Sequence, residues 1–204
     1  METKRNMATI ARKTGLVEQN TQHFMSHSPW SGPGLLGDIQ GVVAKHAEFQ
    51  SGAMLVVDES ADQKAGAHSA GAGRQHNGRL GKIEMSQVGV FAAMLTPRVN
   101  TWIDGELFFP AHWFDASHAE QRRKVEFPKD RTFKTKPELA GDIIQGIQRA
   151  GIRFEAVAMD DLYGRNAVLR KRLDDAHIEY YGDILANTIV SLDKPQIFYP
   201  TTKH

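Results

Sequence analysis

Ala53-Met54-Leu55-Val56-Val57-Asp58-Glu59 is the stretch on which the fold turns. An unbroken apolar run of this length reads as a strand buried on both faces, as in the middle of a parallel sheet. It ends directly in acid. Further along the chain, Phe154-Glu155-Ala156-Val157-Ala158-Met159 repeats the pattern and runs into Asp160-Asp161. Two central strands, each closing on aspartate, set the frame for everything between and around them.

Between these strands, residues 61–82 are rich in glycine and basic residues and read as a long loop or a loose hairpin. Val88 to Leu95 is the second predicted strand and Val99 to Phe109 the third, with Pro97 at the turn between them. Trp102, Asp104, Glu106 and Phe108 alternate along the third strand, so one of its faces is expected to be wet. Residues 110–135 form a basic connector. Pro137 to Ala150 is an amphipathic helix, with proline in its first turn and Gly151 just past its end. After the second Asp-ended strand come a short helix, Asn166 to Ala176, and a fifth strand, Ile178 to Leu185. Ile189 to Leu192 reads as a further short strand. Upstream, the turn cluster Ser28-Pro29-Trp30-Ser31-Gly32-Pro33-Gly34 precedes a helical pattern from Leu35 to Phe49. The order is three strands, a helix, a strand, a helix and a strand. It matches an α/β fold with an RNase H-like mixed sheet and flanking helices, preceded by a small N-terminal helical region. The expected division is residues 1–50 and residues 51–204.

Composition excludes several classes of chemistry. The 204 residues contain no cysteine, which rules out a disulfide framework, thiolate-bound zinc and thiol catalysis. The nine histidines show no zinc-ligand spacing. No apolar run approaches the roughly 20 residues that span a bilayer, and Met1 to Arg5 are not followed by an apolar core of a signal peptide. A cytoplasmic protein with no membrane partner is the expectation. Net charge is only +1, yet the basic residues are clustered. Lys64, Arg74, Arg79 and Lys82 share a stretch without a single acid. Stretches of this kind are candidate phosphate contacts.

In α/β sheets, sites gather where strands end, and the first and fourth strands of an RNase H-like sheet are neighbours. Asp58 and Asp160 are therefore expected to face one another. Two close carboxylates oppose each other's ionisation unless cations hold them charged. Hard oxygen donors suit Mg²⁺ or Mn²⁺, and two such ions can drive an in-line phosphoryl displacement without a nucleophilic side chain. The bland alternative is that each aspartate only caps a helix or closes a turn, and Asp161 competes with Asp160 for the role.

Several motifs, in order along nearly the whole chain, resemble a large family of bacterial insertion-sequence transposases of the DDE type. The run Lys64-x-Gly66-x-His68-Ser69-x-Gly71-x-Gly73-Arg74-Gln75-His76-x-Gly78-x-Leu80-Gly81-Lys82 looks like the loop after that family's first catalytic aspartate. Phe108-Phe109-Pro110-x-x-Trp113 resembles its apolar-Pro-x-x-Trp signature. Thr135-Lys136-Pro137-Glu138-Leu139-Ala140 is similar to its helix start, and Asp160-x-x-Tyr163-Gly164 to the motif of its second catalytic aspartate. Gln22-His23-Phe24-x-x-His27-Ser28-Pro29-Trp30, Ala186-Asn187-Thr188 and Lys194-Pro195 extend the likeness to both ends.

The resemblance implies a DNA strand-cleaving and strand-transferring enzyme. Asp58 and Asp160 would be its catalytic and metal-binding residues, with Mg²⁺ or Mn²⁺ as cofactor. It selects Asp160 over Asp161. It makes DNA, at transposon ends and at the target, the partner, and gives nucleoid association in a bacterial cytoplasm. Lys64, Arg74, Lys82 and Lys136 become candidate phosphate contacts, and His68, Ser69 and Gln75 candidate hydrogen-bond donors near the scissile group. The family also takes a third carboxylate, a glutamate, from a later helix, and no residue here matches it. The chain therefore reads as a truncated or split transposase, partnered by a downstream fragment or by further copies of itself. The competing readings are a catalytically inactive, transposase-derived DNA-binding protein and an RNase H-type nuclease.

Overall fold

The computed structural model describes residues 7–29 and 31–188; the strand expected at Ile189 to Leu192 lies outside them. Three helices lead in: α1 (Met7–Thr14), α2 (Glu18–His27) and α3 (Gly32–Lys45). The turn cluster is shorter than expected. Ser31 caps α3 by accepting the Gly34 N–H at 3.2 Å, with Pro33 in the first turn, so the glycines that suggested a turn open the helix instead.

Among the described residues the sheet has six strands: β1 (Met54–Gln63), β2 (Gly73–Asn77), β3 (Lys82–Leu95), β4 (Asn100–Phe108), β5 (Ala156–Met159) and β6 (Tyr180–Gly182). β3 lies between β4 and β1, and β1 is followed by β5 and then β6. The pairs β1–β3 and β3–β4 are antiparallel, while β1–β5 and β5–β6 are parallel. This is the mixed, RNase H-like sheet that the element order predicted.

Several strand boundaries move, and one strand is added. β1 does not stop at Asp58: its ladder with β3 continues to Gln63 opposite Ser86, although its parallel ladder with β5 ends at Val57 opposite Met159. A strand needs only one hydrogen-bonded neighbour to continue, and β3 supplies it. The glycine-rich segment also contains a strand, since β2 pairs with β3 from Gly73 opposite Ser86 to Asn77 opposite Lys82. β3 accordingly begins at Lys82 rather than Val88. The fifth predicted strand shrinks to the three residues of β6.

Between β4 and β5 runs α5 (Lys136–Arg149), which packs Leu139, Ala140, Ile143, Ile144 and Ile147 onto the sheet. Its start carries a complete capping box: Thr135 accepts the Glu138 N–H while the Glu138 carboxylate takes the Thr135 N–H. After the six-residue α4 (Ala119–Lys124) of the connector, the remaining helices are α6 (Asp161–Gly164) and α7 (Ala167–Asp175), the latter capped by Asn166. On the β1 residues facing α5, Leu55 and Val57 are buried beside Val157 and Met159 of β5. The indole of Trp113 is fully buried and donates to the Ala72 carbonyl at 2.8 Å. Trp102 is 63% exposed, and its ring meets that of Phe91 edge-on.

Candidate metal-binding site at the strand ends

The register decides what stands at the carboxyl ends of the parallel strands. The last pairs are Val57 with Met159 and Met159 with Gly182. The next residues along β1, β5 and β6 are Asp58, Asp160 and Asp183, and the Asp183 N–H continues the ladder by donating to the Met159 carbonyl at 3.1 Å. Neighbouring strands lie about 4.8 Å apart, and residues level with one another in parallel strands project to the same face. All three aspartates line one cleft of about 370 Å³, with Val56, Ala158 and Tyr181 among its walls. Asp183 is a residue that sequence reading did not single out. Nothing in its local pattern marks it, and it joins the row only because β6 pairs in this register.

Asp58 and Asp160 are held differently. Asp58 is exposed, and its Oδ1 accepts the Glu59 N–H at 2.7 Å. Asp160 is half-buried and is the N-cap of α6: its Oδ1 accepts the N–H groups of Leu162 and Tyr163 at 3.0 and 3.3 Å. It therefore does what a helix cap does and also faces the cleft. Burial raises its carboxyl above the usual aspartate range, and the negative charges of Glu59 and Asp58 push the same way, against the pull of the two N–H groups. A cation in the cleft would relieve that repulsion, and carboxylate oxygens are the donors that Mg²⁺ and Mn²⁺ prefer. The donor set at Asp58 and Asp160 fits such an ion. Among the described residues, no three acidic or histidine side chains stand close enough to hold one metal ion together. Asp161 does not line the cleft; it sits in α6, 3.8 Å from Arg165.

On the opposite face of β1, Glu59 accepts the Tyr163 hydroxyl and the Lys136 ammonium, each at 2.9 Å. Tyr163 is buried, and its phenol is pushed well above its ordinary value by that burial and by the carboxylates of Glu59, Asp160 and Asp58. Gly164 follows because nothing larger fits: a Cβ there would lie 2.6 Å from the Asp183 carbonyl oxygen and 2.9 Å from the Gly182 Cα. The Tyr-Gly pair thus lets α6 close against β6.

The basic residues fall into two places. Asp58 is opposite Phe91 on β3, whereas Arg74 is opposite Met85, six residues away, and Lys82 begins the same strand. At about 3.3 Å per residue the Arg74 backbone is roughly 20 Å from the level of the aspartates. Lys64 directly follows β1 at that end. Lys64 pairs with Asp62 at 2.7 Å and Lys82 with Glu84 at 2.8 Å, whereas His68 is exposed and Ser69 partly so. The Gln75 amide nitrogen donates to the carbonyls of Gly71 and Ser86 at 3.3 and 3.0 Å, which commits it to the hairpin. The connector forms a second basic region, a cleft of about 450 Å³ lined by Phe114, Arg122, Arg123, Phe127, Lys129 and Arg131. Arg122 holds the Asp115 carbonyl at 2.7 Å and Arg131 bridges to Glu106 at 2.8 Å, while Arg123 and Lys129 point to solvent. No helix of the described residues is long and apolar enough to cross a membrane.

A mixed sheet of this topology, with aspartates next after the last pairs of its central parallel ladder, is an RNase H-like arrangement. The family model of the DDE superfamily endonucleases matches residues 1–204, and the chain belongs to that family. DDE superfamily endonucleases generally use divalent metal ions. The chain is also 26% identical over 202 residues to a protein of Microchaete diplosiphon named "Probable transposase for insertion sequence element IS701". That alignment covers 93% of this chain and 47% of the relative, so the chain spans about half the length of the curated relative it matches. No solved structure matches.

Proposed function

We propose that this chain is the part of an insertion-sequence transposase that supplies two of its metal-binding carboxylates, Asp58 and Asp160, for DNA strand cleavage and strand transfer. The observation that supports this best is the register, in which the two aspartates are the next residues after the final β1–β5 pair and line one cleft. Mg²⁺ or Mn²⁺ held there would activate a water or a 3′-hydroxyl and stabilise the leaving oxygen of the displacement. The protein's own contribution is to fix two oxygen donors on adjacent strands. It keeps one oxygen of Asp160 tied to the α6 backbone, so that this side chain cannot rotate away, and places basic surfaces along the duplex.

DNA contact is assigned to Lys64, His68, Ser69, Arg74 and Lys82 on the hairpin and to Arg123 and Lys129 on the connector. The ion pairs of Lys64 and Lys82 are on the surface, where such pairs contribute little, so a phosphate can displace the carboxylate. A duplex advances 3.4 Å per phosphate along each strand. A hairpin roughly 20 Å from the aspartates therefore meets DNA about six base pairs from the cleavage point.

The test is a strand-transfer assay on the element's terminal repeats with Mg²⁺ or Mn²⁺. It uses residues 1–204 with and without any further polypeptide that the element encodes, and an RNA–DNA hybrid as competing substrate. Metal-dependent joining of the terminal repeats, abolished by Asp160→Asn, is the expected result. Salt-sensitive DNA binding with no cleavage under any combination would instead mark a non-catalytic DNA-binding protein. Cleavage of the hybrid alone would mark an RNase H-type nuclease.

A further inference from the structure

Glu59, Tyr163 and Lys136 form a small network beside the aspartate pair that the chemistry above does not use. Glu59 is the residue after Asp58 on β1. Tyr163 stands three residues after Asp160, and its own N–H donates to the Asp160 carboxylate at 3.3 Å. Its hydroxyl reaches Glu59 at 2.9 Å. The strand carrying one aspartate and the helix capped by the other are thus tied together by a side-chain hydrogen bond on the far side of β1. Lys136, at the start of α5, closes the network with its 2.9 Å ion pair to Glu59, the two side chains being only 17% and 23% exposed. Lys136 also lies 5.8 Å from the Phe108 ring centroid, so its ammonium is spent on this corner of the fold rather than presented to a duplex.

Resting on the reading of Asp58 and Asp160 as metal ligands, we infer that Glu59 and Tyr163 are positioning residues: their hydrogen bond sets the spacing of the two carboxylates, and Lys136 holds Glu59 in place and cancels its charge. The bond acts across a short lever. Among the described residues it is the one hydrogen bond between β1 and the first turn of α6; the β1–β5 ladder ends one residue before the aspartates, at Val57 and Met159, and the rest is apolar packing, which fixes spacing less sharply. A carboxylate pair that fluctuates in spacing binds a cation less tightly than one held at the distance the ion requires. Partners that orient metal ligands commonly account for about 10–100-fold in metal affinity. Lys136, read from sequence as a phosphate contact, acquires a different role.

The experiment is Mn²⁺ binding to the 204-residue chain, followed by the loss of the free-ion paramagnetic resonance signal and by calorimetry, with melting in EDTA measured in parallel. Asp160→Asn tests the underlying reading and is expected to remove binding. Tyr163→Phe keeps the ring in the core and deletes only the hydroxyl, and is expected to weaken Mn²⁺ about tenfold. Glu59→Ala should do the same, and the double variant should be no worse than either single one, because both remove one bond. Glu59→Gln is the conservative rescue: its amide oxygen can still accept the tyrosine hydroxyl, so affinity should stay within about threefold of the unaltered chain. Unchanged Mn²⁺ affinity in both Tyr163→Phe and Glu59→Ala, with binding lost in Asp160→Asn, overturns the positioning role and leaves the metal site standing. Equal loss in Glu59→Gln and Glu59→Ala also overturns it, since charge and not the hydrogen bond would then be what matters. Binding that survives Asp160→Asn, or that the unaltered chain lacks, removes the metal site and the inference with it. Should Tyr163→Phe fail to fold, the Glu59→Gln and Glu59→Ala pair decides alone.

Discussion

Replacing Asp160 by asparagine should make the metal-free protein more stable, not less. The side chain has two roles that pull apart. As N-cap of α6 it accepts two backbone N–H groups through Oδ1, and asparagine caps a helix about as well as aspartate. As a charge it sits level with Asp58 on the adjacent strand and near Glu59, and both raise its carboxyl alongside burial. Two unit charges about 5–6 Å apart repel by roughly 0.8 kcal/mol in water and about 3 kcal/mol at an effective dielectric constant of 20. Asp58 is exposed and Glu59 is partnered by Lys136, so solvent and the ammonium screen most of this. A gain of about 1 kcal/mol is the reasonable figure, equivalent to a rise of about 2–4 °C in Tm for a chain of this size. Asp160→Ala removes the charge and the cap together, and loss of a cap costs about 1 kcal/mol, so it should melt near the unaltered protein. Metal reverses the order. With Mn²⁺ at about 100 times its Kd, the unaltered chain gains about 2.7 kcal/mol by mass action and Asp160→Asn gains nothing. The assay is thermal unfolding by circular dichroism, in EDTA and in a Mn²⁺ series. Lower stability of Asp160→Asn in EDTA would mean that the carboxylate is simply structural. An equal gain of both proteins with Mn²⁺ would place the ion elsewhere.

Three further outcomes are expected. The Asp160 carboxyl, followed by carbon NMR without metal, should titrate above the ordinary aspartate value of about 3.9, and Glu59→Gln should bring it down. Because its folded value is raised, the stability tied to this group is complete below the unfolded value and is lost as pH rises through the folded one; a flat stability profile across that window in the unaltered protein, unaffected by Asp160→Asn, would contradict the assigned environment. In DNA binding measured against salt, each phosphate contact removed at Arg74 or Lys82 should reduce the slope of log K against log salt by about 0.9, with affinity falling alike for unrelated sequences; an unchanged slope would take the hairpin off the DNA. Gly164→Ala must push α6 away from β6, and overpacking of this kind costs about 1–3 kcal/mol; a urea midpoint equal to that of the unaltered chain would show that the two elements separate without strain.

The sequence by itself determined the central strands, the connecting helix and the aspartates. Apolar runs such as Met54 to Val57 and Ala156 to Met159 do form central strands, with Leu55, Val57, Val157 and Met159 buried on one face; Val56 and Ala158 on the other face are partly buried and line the cleft. Pro137 in the first turn and Gly151 just past the end made α5 legible to within one residue at each end. The tertiary structure alone decided relations between segments far apart in the chain. That β1 runs on past Asp58 depends on β3, whose partner residues lie some thirty positions later, and the strand hidden in the glycine-rich hairpin has the same cause. Asp183 entered the row of aspartates through the pairing of β6 with β5. Lys136 left the set of free cations because α5 carries it to Glu59. Local pattern records how each residue is solvated along its own strand or helix. Which side chains meet is fixed by register and packing, and the charge of an isolated lysine or aspartate says nothing about either.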